Sequence, residues 1–246
     1  MKTALVTGVS RGIGNAIARK LVADGYFVHG TYNTSEKEAN KLRDELKNIE
    51  LHQVDFSERK QTVTLIEKLK DVKLDALVNN AGIIEFEAFD KLSYDIWDKV
   101  FEVNLHAPFI FSHGFRNNFN KGAAIVNITS TDGMTGAYVS MSYSASKAAL
   151  INLTKSLGNV FGKRRIRVVA IAPGWVGTGM DSPAIKEAME NNPLGRNADA
   201  SEIANIVSFL VSENASFING QTIIVDGGYT NVDHILKKEA EATEKE

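Results

Sequence analysis

Thr7-Gly8-Val9-Ser10-Arg11-Gly12-Ile13-Gly14 stands between an apolar run, Thr3 to Thr7, and an amphipathic stretch, Ile13 to Ala23. Three glycines in this position let backbone amides and a helix N-terminus approach a pyrophosphate with no side chains in the way. The spacing is Gly-x-x-x-Gly-x-Gly rather than Gly-x-Gly-x-x-Gly. Outward from this loop the same alternation persists. Further strand candidates are Phe27 to Thr31, Leu51 to Val54, Ala76 to Val78, Ala124 to Ile128, Arg167 to Ile171 and Thr222 to Val225. Helical patterns lie near Lys37 to Leu46, Arg59 to Lys70, Tyr94 to Phe115, Ala145 to Phe161 and Ser201 to Val211. Parallel strands need such crossover helices. Continuous runs such as Ala4-Leu5-Val6 suit strands buried on both faces. The expected class is therefore α/β, with helices on both faces of a doubly wound parallel sheet.

The chain has 246 residues, 43% of them hydrophobic and 24% charged, and contains no cysteine. Disulfide scaffolds, zinc–thiolate sites, iron–sulfur clusters and thiol catalysis are thereby excluded. No Pro/Gly/Ser-rich linker interrupts residues 1–230, which read as one domain; residues 231–246 read as a charged, helix-prone tail expected to fray. The 28 basic and 30 acidic side chains lack the basic excess of a nucleic-acid binder. Without the tail the balance is 25 of each, which still permits a local basic mouth for an acidic partner. The apolar N-terminal run is broken too early for a signal peptide, and no stretch reaches the roughly 18 apolar residues of a membrane span. A cytoplasmic setting is expected. His29, His52, His106, His113 and His234 show no ligand spacing and no triad partner, so they read as structural or surface residues, with no metal site.

At the end of the second strand candidate, Gly30-Thr31-Tyr32-Asn33-Thr34-Ser35 offers no acid before Glu36. A carboxylate there would bind the ribose 2′-hydroxyl of NAD, whereas hydroxyls, an amide and the Arg11 guanidinium suit a 2′-phosphate. Ser35 to Glu38 reads as a helix capping box. Tyr143 and Lys147 are four apart in a helical pattern and share one face. An ammonium beside a phenol is expected to lower its pKa from about 10, as a proton donor to a carbonyl requires. Ser130 follows the strand ending at Ile128, at the carboxyl edge where α/β sheets bind ligands.

These motifs, with Asn79-Asn80-Ala81-Gly82, Pro173-Gly174 and Asp226-Gly227-Gly228 in the same order, resemble the short-chain dehydrogenase/reductase family over roughly residues 2 to 230. The resemblance implies a single Rossmann-type sheet of about seven strands. It assigns Ser130 to the substrate carbonyl and Tyr143 to proton delivery. Lys147 would tune Tyr143 and hold the nicotinamide ribose, and Asn104 would position a water behind the lysine. The implied cofactor contacts are Gly8, Ser10, Arg11, Gly12, Ile13 and Gly14 in the loop and Asn33 near the 2′ position. Asp55 and Phe56 would border the adenine, and Asn80, Ala81 and Gly82 the adenosine ribose. Pro173, Gly174, Val176 and Thr178 would meet the carboxamide, while Trp175 is expected to pack. A basic residue in the place of Arg11 is associated in this family with NADP(H), which is favoured over NAD(H).

Gly179 to Asn192 would close over substrate, with Met180, Pro183, Ile185, Ala188 and Met189 giving it an apolar side. The nearest likeness is to 3-oxoacyl-[acyl-carrier-protein] reductases. It implies acyl carrier protein docking at a basic patch near the site mouth, made by Lys121 before the Ser130 strand and by Arg164 and Arg165 within Lys163 to Arg167. The alternatives are a free alcohol, sugar, steroid or xenobiotic ketone as substrate, or a non-catalytic cofactor sensor. A homotetramer is implied by the family.

Overall fold

The protein is described here by a computed structural model covering residues 1–177 and 183–243. Seven parallel strands form one sheet: β1 (Lys2–Val6), β2 (Tyr26–Tyr32), β3 (Ile49–Gln53), β4 (Leu74–Asn79), β5 (Phe119–Ile128), β6 (Arg167–Pro173) and β7 (Thr222–Val225). Their order is β3-β2-β1-β4-β5-β6-β7, so the winding reverses between β1 and β4. That reversal opens a crevice at the carboxyl edge, where ligands of such sheets sit.

The helices are α1 (Gly12–Ala23), α2 (Glu36–Glu45), α3 (Arg59–Lys68), α4 (Tyr94–Phe101), α5 (Ala107–Gly114), α6 (Met141–Gly162), α7 (Pro183–Asn191), α8 (Ala200–Val211) and α9 (His234–Thr243). Alternate strand residues feed two cores. Val6, Val28, Val78, Val126 and Ile171 pack with Ile17 and Leu21 of α1 and Val207 and Leu210 of α8. Leu5, Leu77, Ile125 and Val168 pack on the other face with Leu65 of α3, Phe111 of α5 and Phe161 of α6.

The expected helix from Tyr94 to Phe115 is two helices separated by a π-helical turn, Glu102–His106, in which Ala107 N–H donates back to the Glu102 carbonyl. Pro108 explains the slip, since it has no N–H for the Asn104 carbonyl four residues earlier. The Ser35 capping box does not form: Ser35 is the N-cap of α2, but its hydroxyl makes no capping bond. A box forms instead on α8, between Asp199 and Glu202. The residues expected to fray carry α9, begun by Asp233 Oδ1 accepting from Ile235 and Leu236 N–H. Lys237 Nζ of α9 donates to the Glu190 carbonyl of α7 at 2.7 Å. Among the described residues no helix is long and apolar enough to cross a membrane.

Candidate active site

The glycine loop is held open from three sides. Gly8 N–H donates to Thr31 Oγ1 at 3.0 Å, and Val9 N–H to the Thr31 carbonyl at 2.8 Å. Asn80 Nδ2 donates to the Thr7 and Gly8 carbonyls, while Thr7 Oγ1 accepts from Asn80 and Ala81 N–H, both at 2.9 Å. Gly14 is required by contact: a Cβ there would lie 2.0 Å from the Gly8 carbonyl oxygen. Arg11 is the exposed N-cap of α1, makes no side-chain cap, and no acid occupies the first turn. These first-turn amides are therefore free to bind an anion.

A groove of about 470 Å³ runs from this loop past Thr31 to Ser35, Val54 to Ser57, Asn80 to Ile83, Lys99 and Val103. It gathers Gly8, Ser10, Arg11, Gly12, Ile13, Gly14, Asn33, Asp55, Phe56, Asn80, Ala81 and Gly82 along one wall system. Its donor set fits the adenosine and pyrophosphate portion of a dinucleotide. Asp55 is its carboxylate. Burial raises that carboxyl, but bonds from Ser57 and Asn33 and the Lys99 charge outweigh burial and hold it below the ordinary range. Ser35, whose hydroxyl makes no capping bond, also lines this groove.

Ser130 caps a short turn, Thr131–Gly133, and its Oγ accepts from Asp132 N–H at 3.1 Å. The turn lies against α6, where a Cβ on Gly133 would come within 2.8 Å of the Lys147 backbone carbon. That close approach brings the Ser130 hydroxyl near enough to the Tyr143 phenol to lower its pKa. Lys147 is buried, and its Nζ donates to the Ile128 carbonyl at 2.9 Å. Burial lowers its pKa from 10.5 to about 8.

Tyr143 departs from expectation. Burial pushes its phenol up, the Ser130 bond lowers it, and the Asp132 charge raises it further, leaving it above its ordinary value. Lys147 does not counter this: its Nζ is 5.6 Å from the ring centroid and committed to Ile128. In this arrangement the ammonium makes no hydrogen bond to the phenol, and burial dominates.

Asn104 is buried in the π turn. Its amide exchanges two 2.9 Å bonds with the Ile83 backbone and donates to Ser146 Oγ at 3.1 Å. It thus ties the groove wall to α6 one residue before Lys147. Sequence reasoning missed Asp132, whose partly buried carboxyl is raised by burial and accepts no hydrogen bond among the described residues. Its place two residues after Ser130 was the available signal.

Pro173 and Gly174 lie at the end of β6, where Gly174 N–H donates to the Val225 carbonyl. Val176 makes a bridge to Ala198. Thr178 and Met180 lie outside the described residues. Trp175 is not packed but 42% exposed. In α7, Ala188 is buried and Ile185 and Met189 are half-buried, so the expected apolar side is present there.

The basic patch is not at the mouth. Gly122 N–H donates to the Arg165 carbonyl, which places Lys121, Arg164 and Arg165 together at the amino-terminal edge of the sheet. Nine residue steps of extended chain run from Lys121 to Ser130, about 30 Å. Arg167 is buried, donating to the Ser212 carbonyl at 3.0 Å, and Arg164 donates to the Arg116 carbonyl.

A family model described as enoyl-(acyl carrier protein) reductase matches residues 8–230. The 3-oxoacyl-[acyl-carrier-protein] reductase FabG of Aquifex aeolicus is 38% identical over 92% of this chain and 96% of its own. An acetoacetyl-CoA reductase of Shinella zoogloeoides is 39% identical over 92% of this chain and 98% of its own. A crystal structure of a short-chain dehydrogenase from Burkholderia cenocepacia in complex with NADP superposes with a TM-score of 0.89 at 32% identity, covering 93% of this chain and 98% of that one. A likeness that runs through groove and helix α6 alike, in sequence and in fold, makes this chain a member of the short-chain dehydrogenase/reductase family of oxidoreductases.

Proposed function

We propose that this protein is an NADP(H)-dependent reductase interconverting a carbonyl and a secondary alcohol, with a 3-oxoacyl thioester on acyl carrier protein as substrate. The observation that carries the reaction is the Ser130–Tyr143 hydroxyl pair, Ser130 capping the turn that packs on α6 and Tyr143 on α6 itself, with Lys147 of the same helix beside Gly82 of the groove. When bound, NADPH supplies the hydride. Ser130 holds the substrate carbonyl oxygen by hydrogen bonding, and Tyr143 gives that oxygen its proton. Lys147 binds the nicotinamide ribose, and Asn104 keeps the Ile83 wall and α6 in register behind it.

Gly8, Ser10, Arg11, Gly12, Ile13 and Gly14 hold the phosphates. Asn33 lies at the 2′ position with no carboxylate between Thr31 and Ser35, which supports NADP(H) over NAD(H). Asp55 and Phe56 border the adenine, Asn80, Ala81 and Gly82 the ribose, and Pro173, Gly174, Val176 and Thr178 the carboxamide. Residues 1–230 are the catalytic domain of a cytoplasmic enzyme.

Relatives named for acyl-carrier and for CoA thioesters support a thioester substrate. The position of Lys121, Arg164 and Arg165 favours CoA as a second reading, because docking there can serve only a site on another copy in a homotetramer. Steady-state kinetics with NADPH on 3-oxoacyl carrier thioesters, acetoacetyl-CoA and free ketones tests both. The highest kcat/KM is expected on the carrier thioester. Absence of carrier-linked turnover overturns that assignment.

A further inference from the structure

Two of the histidines without ligand spacing in the sequence, His29 and His52, meet in space. His29 on β2 pairs with Glu50 on β3, and His52 follows two residues later on the same face. His29 Nδ1 lies 3.2 Å from His52 Nε2, while Glu50 oxygens lie 3.6 Å from the first and 3.8 Å from the second. Two nitrogens about 2.05 Å from a tetrahedral metal ion are about 3.3 Å apart, so one ion can sit between these rings with little movement. We propose that His29, Glu50 and His52 form a binding site for a divalent transition metal ion of the zinc class, at the β2–β3 edge of the sheet.

Both imidazoles are buried and Glu50 is exposed, so the site has a dry floor and a solvent-facing carboxylate. Burial pushes both rings down, His52 to about 4 with Lys68 adding to the effect. They are therefore neutral near pH 7. Lys68 Nζ donates to His52 Nδ1, so His52 Nε2 carries the ring proton and donates to His29 Nδ1; binding of an ion releases Lys68 and moves that proton to Nδ1, which frees Nε2 as a ligand. Two imidazoles and one carboxylate select zinc-like ions over magnesium or calcium, which prefer all-oxygen sets. Water completes the tetrahedron.

Lys68 stands where the metal's charge would act. Its Nζ is 3.1 Å from His52 Nδ1 and 3.8 Å from Glu50 Oε1. Lys68 is an exposed side chain of α3 beside a cavity of about 370 Å³, into which it can withdraw. It acts as a competitor for the site. An ion there would fasten edge strand β3 to β2, the two strands whose carboxyl ends carry Asn33 and Asp55.

The test is calorimetric titration of the chelator-dialysed full-length protein with Zn²⁺, paired with thermal unfolding. One Zn²⁺ per chain and a raised Tm are expected. His29→Gln and His52→Gln each weaken binding at least about tenfold, Glu50→Gln weakens it severalfold, and Lys68→Met strengthens it. His106→Gln, which alters the exposed His106–Glu102 pair, leaves it unchanged. Should a histidine variant fail to fold by circular dichroism, the exposed Glu50→Gln and Lys68→Met variants decide. Absence of saturable binding, unchanged affinity in Glu50→Gln, or weaker binding in Lys68→Met overturns the proposal.

Discussion

The Lys147 ammonium donates to the main-chain carbonyl of Ile128 at 2.9 Å, while its Nζ stands 5.6 Å from the centroid of the Tyr143 ring. The lysine thus joins the end of β5 to α6. It also makes the protonation of a buried amine a stability term.

Lys147 binds its proton less tightly in the folded chain, at about 8, than in the unfolded one, at 10.5. Between those values the unfolded chain holds more protons, so stability rises with pH. Relative to Lys147→Met, the cofactor-free protein should gain about 2 kcal/mol between pH 7.5 and pH 9.5. Urea unfolding at both values measures it. A pH-independent difference would show that the amine is not desolvated.

Tyr143→Phe should lower turnover by about 10² to 10⁴ while cofactor affinity stays within a few-fold. Stopped-flow reduction and fluorescence titration of NADPH separate the two effects. Unchanged turnover removes Tyr143 from the proton-donor role, and a protein that binds NADPH but reduces no carbonyl at all is the sensor. In the cofactor-free protein the Tyr143 phenol should titrate above 10, since burial dominates it. The difference in ultraviolet titration between the two proteins reads this directly.

Gly14→Ala and Gly12→Ala should separate contact from conformation. A Cβ at Gly14 meets the Gly8 carbonyl oxygen at 2.0 Å, whereas Gly12 has φ +56° and open space around it. We expect about 3 kcal/mol lost for Gly14→Ala and about 1 kcal/mol for Gly12→Ala. Denaturant midpoints test the ranking, and equal losses would show that the loop relaxes.

Asn33→Asp places a carboxylate where the 2′-phosphate is proposed to lie. The ratio of kcat/KM for NADPH over NADH should fall at least about tenfold, which corresponds to about 1.4 kcal/mol of repulsion. Arg11→Ala should move the ratio the same way. An unchanged ratio in both variants would place the 2′-phosphate elsewhere in the groove.

The strand-to-helix alternation and the Gly8–Gly14 loop determined the doubly wound sheet, because parallel strands can be joined only by crossovers and hydrophobic period is local. Tyr143 and Lys147 were legible for the same reason: four residues on a helix share a face. What the sequence left open depends on which strands become neighbours. The β2–β3 register joins His29 to Glu50 and His52, and the strand direction carries Lys121 and Arg165 to the edge opposite Ser130. The environment of Tyr143 was likewise a tertiary decision, since burial and the Ile128 carbonyl, not sequence spacing, set where the Lys147 charge acts. Local pattern fixes elements and faces; desolvation and long-range pairing exist only once the chain has closed on itself.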